Sequence, residues 1–523
     1  MSKETVKNSL FLGWGASIGY NEAQLIYDIT KREMDDIIGE QNVTEGSGYI
    51  HGILEKEEDI RFMFKWADLH TLITGASGSG KTRFFDLVLT QLILRNECCI
   101  FLDPKGDKDI RKIANRTCTA MGNPDKYVMW HPAFPRDTIR LNPLKNFSRS
   151  SELAARVTAL IPEDGDSFYR DIANTVLQYL IDAMHMISEQ VTLTRIRYYY
   201  EHFGLLIEKA LIAWCETNNV NWRDKLFSKL ESSNNEEVRA LLCIEYYRSK
   251  LASKFPNPTI ESMASMYVEK RRTLEQSTGN LLANLSKVTN GELAEMLSPS
   301  DREDKRAVYD MKNIIADNKV LIIGTDSLSD RIVSSAIGKM ILADAAAVAS
   351  DRYNYGDDDE KFINLFVDEA SEMLCEPLIQ MVNKARGARF RLWIATQTVS
   401  DFEAELGSKA KADQIIASTN NFISFRCADV PTQERVLSQI PKTRVRYVMR
   451  TQGFNASNEE LDGLGANIGE RLMEEEADMF PMQLMGQLPN LEYVASFVGG
   501  NLKKGRLPIL SKPRKLNGKK ENG

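Results

Sequence analysis

The sequence predicts an α/β fold, a parallel sheet flanked by helices, with an all-α domain inserted between its strands. Three observations lead to this prediction. A glycine-rich turn joins a strand pattern to a helix pattern at residues 71–89. Buried-strand patterns recur at residues 98–103 and 319–326, each ending in turn or polar residues. Between about 150 and 305 the strand patterns nearly vanish and helical spacing takes over, which favours one helical insertion in a single sheet.

The glycine-rich turn lies in the stretch TLITGASGSGKTRFFDLVL and matches G-x-x-x-x-G-K-[ST] at every fixed position. The alternative, a chance glycine-rich turn, is disfavoured because a strand precedes it and a helix follows it. Backbone N–H groups and the helix N-terminus would hold phosphate oxygens, Lys81 would reach the β- and γ-phosphates, and the Thr82 hydroxyl would coordinate Mg²⁺. The predicted nucleotide-binding residues are Gly75, Ala76, Ser77, Gly78, Ser79, Gly80, Lys81, Thr82 and Arg83.

Composition sets limits on the class of protein. The chain has 523 residues, 43% of them hydrophobic, and a net charge of −7, which argues against a globally basic nucleic-acid coat but allows a local basic channel. Seven cysteines form no C-x-x-C pair, which predicts reduced thiols in a cytosolic compartment. Cys/His spacing gives no zinc pattern, so nucleotide-borne Mg²⁺ is the one implied metal. No run approaches the roughly 18–20 apolar residues of a membrane helix, so we expect a soluble chain.

We predict four regions along the chain. They are an N-terminal lead-in (1–60), a nucleotide-binding domain in two pieces (61–150 and 306–500), the inserted all-α domain (151–305) and a basic disordered tail (501–523). The tail is assigned from its lysines, arginines, proline and glycines, which are typical of disorder.

A second motif predicts the other half of the site. In KFINLFVDEASEM, a buried strand ends in Asp368-Glu369. Asp368 would hold the water shell of Mg²⁺, and Glu369 would polarise the attacking water as general base. About 290 residues separate Lys81 from Asp368, which supports the insertion.

The next strand pattern, in RFRLWIATQTVSDF, ends at Gln397, which can sense the γ-phosphate or can be an ordinary strand-end glutamine. Before it, NKARGARFR carries Lys384, Arg386, Arg389 and Arg391. One arginine here could reach a neighbouring subunit's nucleotide as a finger, and the alternative is a solvated basic helix end.

Taken together, these motifs resemble those of the cytosolic part of conjugative type IV coupling proteins of the TraD/TraG kind. The matching stretches are HTLITGASGSGKTR, FLDPKGD, LNPLKNF, LIIGTDSLSD, LFVDEASEM, IATQTVSDF and LPNLEYVASFVGGNLKKGRLPIL, from about residue 50 to 510. The resemblance implies a RecA-like hexameric ATPase of the FtsK/HerA group that uses ATP and Mg²⁺ and carries an inserted all-α domain. It implies Gln397 as the sensor glutamine and Arg386 as the finger, with Arg389 one turn away as the competing position.

The resemblance also implies partners: single-stranded or double-stranded DNA, relaxase and other relaxosome proteins, and components of a type IV secretion channel. It implies a homo-hexamer when active, although the isolated chain can be a monomer. The family acts at the cytoplasmic face of the inner membrane and normally carries an N-terminal transmembrane hairpin, which this sequence lacks. We therefore expect either a chain trimmed to its soluble part or one that relies on a membrane partner.

DNA contacts need phosphate-neutralising cations and aromatic faces. The candidates are Lys409 and Lys411 in ELGSKAKADQ, and Phe168, Tyr169 and Arg170 in SFYRD, whose two aromatic rings have helical-core packing as the favoured alternative. Two other functions stay open: a secretion ATPase that handles protein substrates without pumping DNA, and a nucleotide-regulated docking adaptor for relaxosome proteins.

Overall fold

The computed structural model describes residues 7–31, 50, 57–161, 167–269, 271–357, 360–438, 440–455 and 465–509. These residues form two compact units. The first unit comprises the chain up to Arg95, residues 369–371 and the chain from Arg391 onward. The second comprises Asn96–Asp368 and Glu372–Phe390. Within the N-terminal lead-in, the stretch GYIHGIL (48–54) predicts a short strand, but all of it except Ile50 lies outside the described residues.

The strands are β1 (Ser9–Ser17), β2 (Glu58–Met63), β3 (Thr71–Thr74), β4 (Cys98–Asp103), β5 (Tyr127–Trp130), β6 (Arg140–Leu141), β7 (Val308–Tyr309), β8 (Val320–Gly324), β9 (Ile363–Val367), β10 (Phe390–Thr396), β11 (Asn421–Ser424), β12 (Lys442–Asn455), β13 (Gly465–Asp478), β14 (Glu492–Phe497) and β15 (Asn501–Arg506).

The helices are α1 (Tyr20–Thr30), α2 (Phe64–Ala67), α3 (Lys81–Leu94), α4 (Lys108–Ala120), α5 (Ser150–Thr158), α6 (Ser167–Met186), α7 (Leu193–Glu201), α8 (Phe203–Thr217), α9 (Ser228–Glu231), α10 (Glu236–Tyr246), α11 (Pro258–Val268), α12 (Arg271–Val288), α13 (Gly291–Leu297), α14 (Met311–Ala316), α15 (Arg331–Tyr355), α16 (Glu376–Lys384), α17 (Ser400–Leu406), α18 (Lys409–Ser418), α19 (Val430–Leu437) and α20 (Met482–Met485). Short 3₁₀ turns lie at Pro124–Lys126 and Ala370–Met373, and π turns at Arg223–Phe227 and Tyr247–Leu251.

The first unit is built on a mixed sheet. Its strand order is β2-β1-β15-β14-β11-β3-β10. The strands β11, β3 and β10 run parallel, while the pairs from β2 to β11 are antiparallel. All residues of β3, β10 and β11 are buried, as their apolar runs predict for strands covered on both faces.

The second unit has its own parallel strands in the order β9-β4-β8-β5. The residues of β4, β8 and β9 are all buried. Two helices that follow these strands begin at aspartate caps: Asp107 accepts a hydrogen bond from Asp109 N (2.7 Å) at α4, and Asp330 accepts one from Val333 N (3.1 Å) at α15. Such caps satisfy N–H groups that a helix start leaves without partners.

Between Ser150 and Leu297 the described residues form the helices α5 to α13 and the two π turns. Apolar side chains at helical spacing pack these helices together; Leu177, Leu180 and Ile181 on α6 and Leu206 on α8 are fully buried. These helices belong to the second unit. The exact limits of an inserted domain, 151 and 305, stay a prediction.

A long antiparallel hairpin, β12 with β13, was not predicted. Its strands pair without a break from Lys442↔Asp478 to Asn455↔Gly465. The prediction missed it because its strands carry charges at most outward positions and so do not resemble buried strands.

The start of the predicted disordered tail is in fact ordered, which corrects that prediction. Residues Asn501–Arg506 form β15, an interior strand between β1 and β14. Leu502 is buried, and Lys504 is buried as well because its amine pairs with the Glu492 carboxylate at 2.8 Å. The lysines suggested disorder, but one of them sits in an internal ion pair. The tail from residue 510 onward lies outside the described residues.

Among the described residues, one helix, α15, is long and apolar enough to cross a membrane by length and composition. Most of its apolar window, 72%, is buried inside the structure, as in the core helix of a globular unit. Lys339 and Asp344 interrupt the apolar residues of α15, so the sequence has no continuous apolar run of membrane-helix length here, although the helix as a whole is long and apolar enough.

Candidate nucleotide site

The glycine-rich turn has the backbone of a phosphate-binding loop. It joins the buried strand β3 to the helix α3, which begins at Lys81. Gly75, Gly78 and Gly80 all have positive φ angles, of 156°, 76° and 134°. L side chains rarely adopt such angles, so glycine is what lets the loop take this curled backbone.

Lys81 belongs to this loop in space as well as in sequence. Its side chain is buried, and its ammonium donates hydrogen bonds to the carbonyls of Gly75 (2.5 Å) and Ala76 (3.5 Å). The Ser79 hydroxyl donates to the Ala76 carbonyl at 2.7 Å. The carbonyls of Gly75 and Ala76 therefore hold the Lys81 ammonium against the loop.

Two segments later in the chain contact the loop, and the sequence did not predict these contacts. Ala76 N donates to the Arg426 carbonyl (2.8 Å), and Leu491 N donates to the Ser79 carbonyl (2.8 Å). Phe425, which follows β11, packs so closely that a Cβ added at Gly75 would lie 2.7 Å from the Phe425 Cβ. No local signal marks these residues, because they reach the loop only through strand pairing far along the chain.

Glu369 and Gln397 meet at the carboxyl ends of their strands. The Gln397 amide donates a hydrogen bond of 3.1 Å to the Glu369 carboxylate, and Glu369 is 7% exposed. Glu369 also has a φ of 41°, an uncommon backbone for a residue with a side chain. Backbone strain of this kind costs about 1–3 kcal/mol and clusters at functional sites.

The remaining predicted site residues take these positions. Thr82 is half-buried in the first turn of α3, and the exposed Arg83 forms an ion pair of 2.8 Å with the buried Asp86. In the second unit, Asp368 is half-buried directly after β9, and its N–H donates to the Leu102 carbonyl of β4 (3.0 Å).

The four basic residues of the stretch NKARGARFR have different surroundings in the structure. Arg391 is buried and pairs with Asp68 at 2.7 Å, so it has a structural role. The Arg389 guanidinium lies over the Phe362 ring at 5.5 Å. Arg386 and Lys384 are exposed beside an open cavity of about 740 Å³ between α15 and the end of α16.

The motif FLDPKGD forms a tightly bonded turn in the second unit. The buried Asp103 carboxylate accepts hydrogen bonds from the N–H groups of Lys105 (2.9 Å) and Asp107. Burial raises the pKa of Asp103, although these hydrogen bonds oppose the shift. The His131 ring lies against Gly106 and Gly324, where an added Cβ would approach it to 2.4 Å. This close packing explains both glycines.

A glycine loop between a buried parallel strand and a helix, in an α/β fold, places the chain among the P-loop NTPase folds. Residues 58–201 match the model described as "Type IV secretion-system coupling protein DNA-binding domain", and residues 363–490 match "TraM recognition site of TraD and TraG". The chain belongs to the type IV coupling proteins of conjugation, the TraD/TraG kind. No curated protein sequence matches it.

Solved structures support the same fold. The chain is similar to the bacterial conjugative coupling protein TrwBdeltaN70 in an unbound form, with 14% identity, coverage of 96% of this chain and 95% of that chain, and a TM-score of 0.50. It is also similar to plasmid coupling protein TrwB in complex with ADP and Mg²⁺, with 13% identity, 97% coverage of both chains and a TM-score of 0.50. The predicted fold class, a RecA-like P-loop domain with an all-α insertion, is confirmed.

Proposed function

We propose that this chain is an ATP-hydrolysing coupling protein that connects the DNA-processing relaxosome to a type IV secretion channel and drives DNA transfer in conjugation. The observation that carries the hydrolytic part is the hydrogen bond between Gln397 and Glu369. A protein that only bound nucleotide would need the loop but not a buried carboxylate oriented by a glutamine.

The residues present fit ATP and Mg²⁺. The open side of the loop faces outward at Gly78, where an added Cβ would meet nothing within 4 Å, and Lys81 supplies the cation for phosphate oxygens. The Thr82 hydroxyl and the Asp368 carboxylate are oxygen ligands of the kind Mg²⁺ prefers. Bound Mg²⁺ would neutralise the charge that develops on the phosphates during hydrolysis.

We assign the proton transfer to Glu369. Its carboxylate would accept the proton of the attacking water, while Gln397 would hold that carboxylate in position. Burial of Glu369 excludes competing water from the carboxylate.

We propose Arg386 as the residue that reaches a neighbouring subunit's nucleotide in a homo-hexamer. Its exposure supports this choice over Arg391, which is occupied by Asp68, and over Arg389, which lies over Phe362. An arginine supplied in this way contributes about 10³–10⁵ in rate where it has been measured in NTPases.

For DNA we propose contacts at two places. Phe168 and Tyr169, which we expected to pack in the helical core, are instead 58% and 45% exposed and form an edge-on pair with ring centroids 5.6 Å apart. Exposed rings beside Arg170 suit stacking of unpaired bases. Lys409 and Lys411 are exposed in the first turn of α18 and suit phosphates.

We propose that residues 363–490 contact a relaxosome protein of the TraM type, in keeping with the description of the family model that matches there. The site of action would be the cytoplasmic face of the inner membrane, next to the secretion channel.

The test is steady-state ATP hydrolysis by the purified chain with no DNA, with double-stranded DNA and with single-stranded DNA, beside Lys81→Ala. We expect stimulation by single-stranded DNA that disappears in Lys81→Ala. Hydrolysis that ignores DNA would contradict the DNA-pumping role and favour a protein-secretion ATPase. Nucleotide binding without hydrolysis under all three conditions would favour a docking adaptor.

A further inference from the structure

The hairpin β12–β13 presents one face of cross-strand pairs that is entirely open to solvent. Directly paired residues on antiparallel strands point to the same side of the sheet, and the side alternates along each strand. Four consecutive pairs on one side define what we call the charged face: Arg444–Glu476, Arg446–Glu474, Val448–Leu472 and Arg450–Glu470. All eight side chains are exposed.

The other face of the hairpin is held by helix α1 of the same unit. Val445 is buried, and the Tyr27 hydroxyl donates to the Glu475 carboxylate. The Gln24 amide bonds to both the N–H and the carbonyl of Arg446, at 2.8 and 2.9 Å. These contacts fix the hairpin on one side and leave the charged face outward.

Charge is segregated between the two strands. The strand β12 carries four basic residues and no acid, whereas β13 carries five acids and one arginine, Arg471. Within the chain the opposite charges meet in cross-strand ion pairs, Arg446–Glu474 and Arg450–Glu470, both at 2.9 Å. One edge of the charged face is therefore positive and the other negative.

One apolar cross-strand pair lies between the charged pairs of this face. Val448 and Leu472 lie opposite each other and are 55% and 64% exposed. Exposed apolar side chains flanked by ion pairs on both sides are typical of the centre of a contact surface with a polar rim.

We propose that the charged face docks against the same face of a second copy of this chain, with β12 of one copy over β13 of the other. A two-fold axis parallel to the strands produces this arrangement. It places the basic strand of each copy over the acidic strand of its partner and brings the two Val448–Leu472 pairs together at the same level. A two-fold axis across the strands would instead stack like charges, so the charge pattern selects one geometry.

The same pattern disfavours nucleic acid as the occupant, because each exposed arginine of the charged face already faces an acid and the face has no excess of positive charge. Exposed ion pairs contribute little individually, so we expect a weak, salt-sensitive association rather than a permanent dimer. This contact does not depend on the proposed ATPase function and is tested without nucleotide.

The experiment is a charge swap in the full chain, followed by analytical ultracentrifugation at low and high salt. One variant, Arg446→Glu/Arg450→Glu, makes the charged face acidic except at Arg444, and the other, Glu470→Arg/Glu474→Arg, makes it basic except at Glu476. We expect neither to self-associate, a mixture of the two to associate about tenfold more tightly than the unaltered chain, and high salt to weaken the mixture. The fourfold variant, with both changes in one chain, restores the cross-strand pairs and should self-associate again.

Disulfide trapping keeps the proposal testable if like charges unfold the hairpin locally. Val448→Cys and Leu472→Cys are made in separate chains, each with Cys375→Ser, because the other six cysteines are buried. Under mild oxidation, a mixture of the Val448→Cys and Leu472→Cys chains should form an intermolecular disulfide. Thr443→Cys chains, which carry the new thiol on the opposite face, should not. No association in the charge-swapped mixture, together with no selective trapping of 448 with 472, would overturn the proposal. Association with single-stranded DNA through the charged face in place of a second copy would overturn it as well.

Discussion

The hydrolytic assignment depends on two side chains and one backbone angle. Glu369 is buried, has a φ of 41° and accepts a hydrogen bond from Gln397. The sequence motifs predicted Glu369 and Gln397 separately. Their contact could be seen only in the fold, where the chain leaves the ends of two strands. Strain at Glu369 persists because the surrounding structure holds it.

Gln397→Ala should reduce kcat for ATP hydrolysis by about tenfold, the value of one hydrogen bond of roughly 1.5 kcal/mol. Nucleotide affinity should change little, because the lost contact orients the general base. Steady-state kinetics and fluorescent-nucleotide binding measure both quantities. Gln397→Glu should be worse than alanine, since two carboxylates would face each other. Equal kcat in the wild type and Gln397→Ala would show that the hydrogen bond has no catalytic role.

Gly75→Ala should abolish nucleotide binding. The new Cβ would lie 2.7 Å from both the Phe425 Cβ and the Ser79 hydroxyl, and the φ of 156° is unsuitable for alanine. Gly122→Ala is the matched control, because its φ is also positive, at 76°, its Cβ would meet nothing within 4 Å, and it lies outside the loop. We expect it to lower the free energy of unfolding by only about 1 kcal/mol, through the backbone, and to leave ATP affinity unchanged. Isothermal titration with ATP compares the two, and equal affinities would contradict the described packing of Phe425.

At the level of elements, prediction from sequence succeeded where the signal is local. The strand-loop-helix at residues 71–94 and the buried strands β4, β8, β9 and β10 follow from apolar runs and turn residues. It failed where pairing is long-range: Phe425 and Leu491 reach the loop through strands far apart in the chain, and the β12–β13 hairpin carries charges outward. The strand β15 was missed because an internal partner, Glu492, neutralises Lys504.

The Lys504–Glu492 pair should be needed for folding of the C-terminal strands. The two side chains are 7% and 1% exposed. Lys504→Met leaves a buried carboxylate without its ammonium partner, and we expect a loss of about 3–5 kcal/mol in the free energy of unfolding. The double variant Lys504→Met/Glu492→Met should recover much of this loss. Urea unfolding measures both variants, and a neutral Lys504→Met would contradict the described ion pair.

The helices α5 and α15 share a buried ion pair that should make stability depend on pH. Asp344 is buried beside Arg156 (3.5 Å), and burial raises the pKa of Asp344 to about 7 from an ordinary value of 3.8, although the arginine opposes the shift. A raised pKa in the folded state contributes stability that is full below pH 3.8 and is lost as pH rises to about 7.

The unfolding free energy of the wild type should therefore fall relative to that of Asp344→Asn between pH 4 and 7, and the difference should level off above that range. Denaturant unfolding at several pH values measures this difference directly. Parallel curves for the two proteins would show that Asp344 does not titrate in this range.

At the scale of the whole molecule, the family assignment and the fold agree with the order of the motifs along the chain. The long separation of Lys81 from Asp368 was explained by a helical insertion, and the helices from Ser150 to Leu297 occupy that interval. The exposure of the charged face and of the Phe168–Tyr169 pair could not be predicted from the sequence, because helical spacing favoured packing of the two rings in the core and no local pattern indicated the hairpin.

The most direct test of the central claim is a paired measurement on Glu369→Gln: ATP turnover with single-stranded DNA, and equilibrium binding of ATP under the same conditions. We predict that binding is retained, because Lys81 and the glycine loop are unchanged, while DNA-stimulated turnover falls by about 10²-fold or more with the loss of the general base. Retention of DNA-stimulated turnover in Glu369→Gln would contradict the assignment of Glu369 and with it the proposed mechanism.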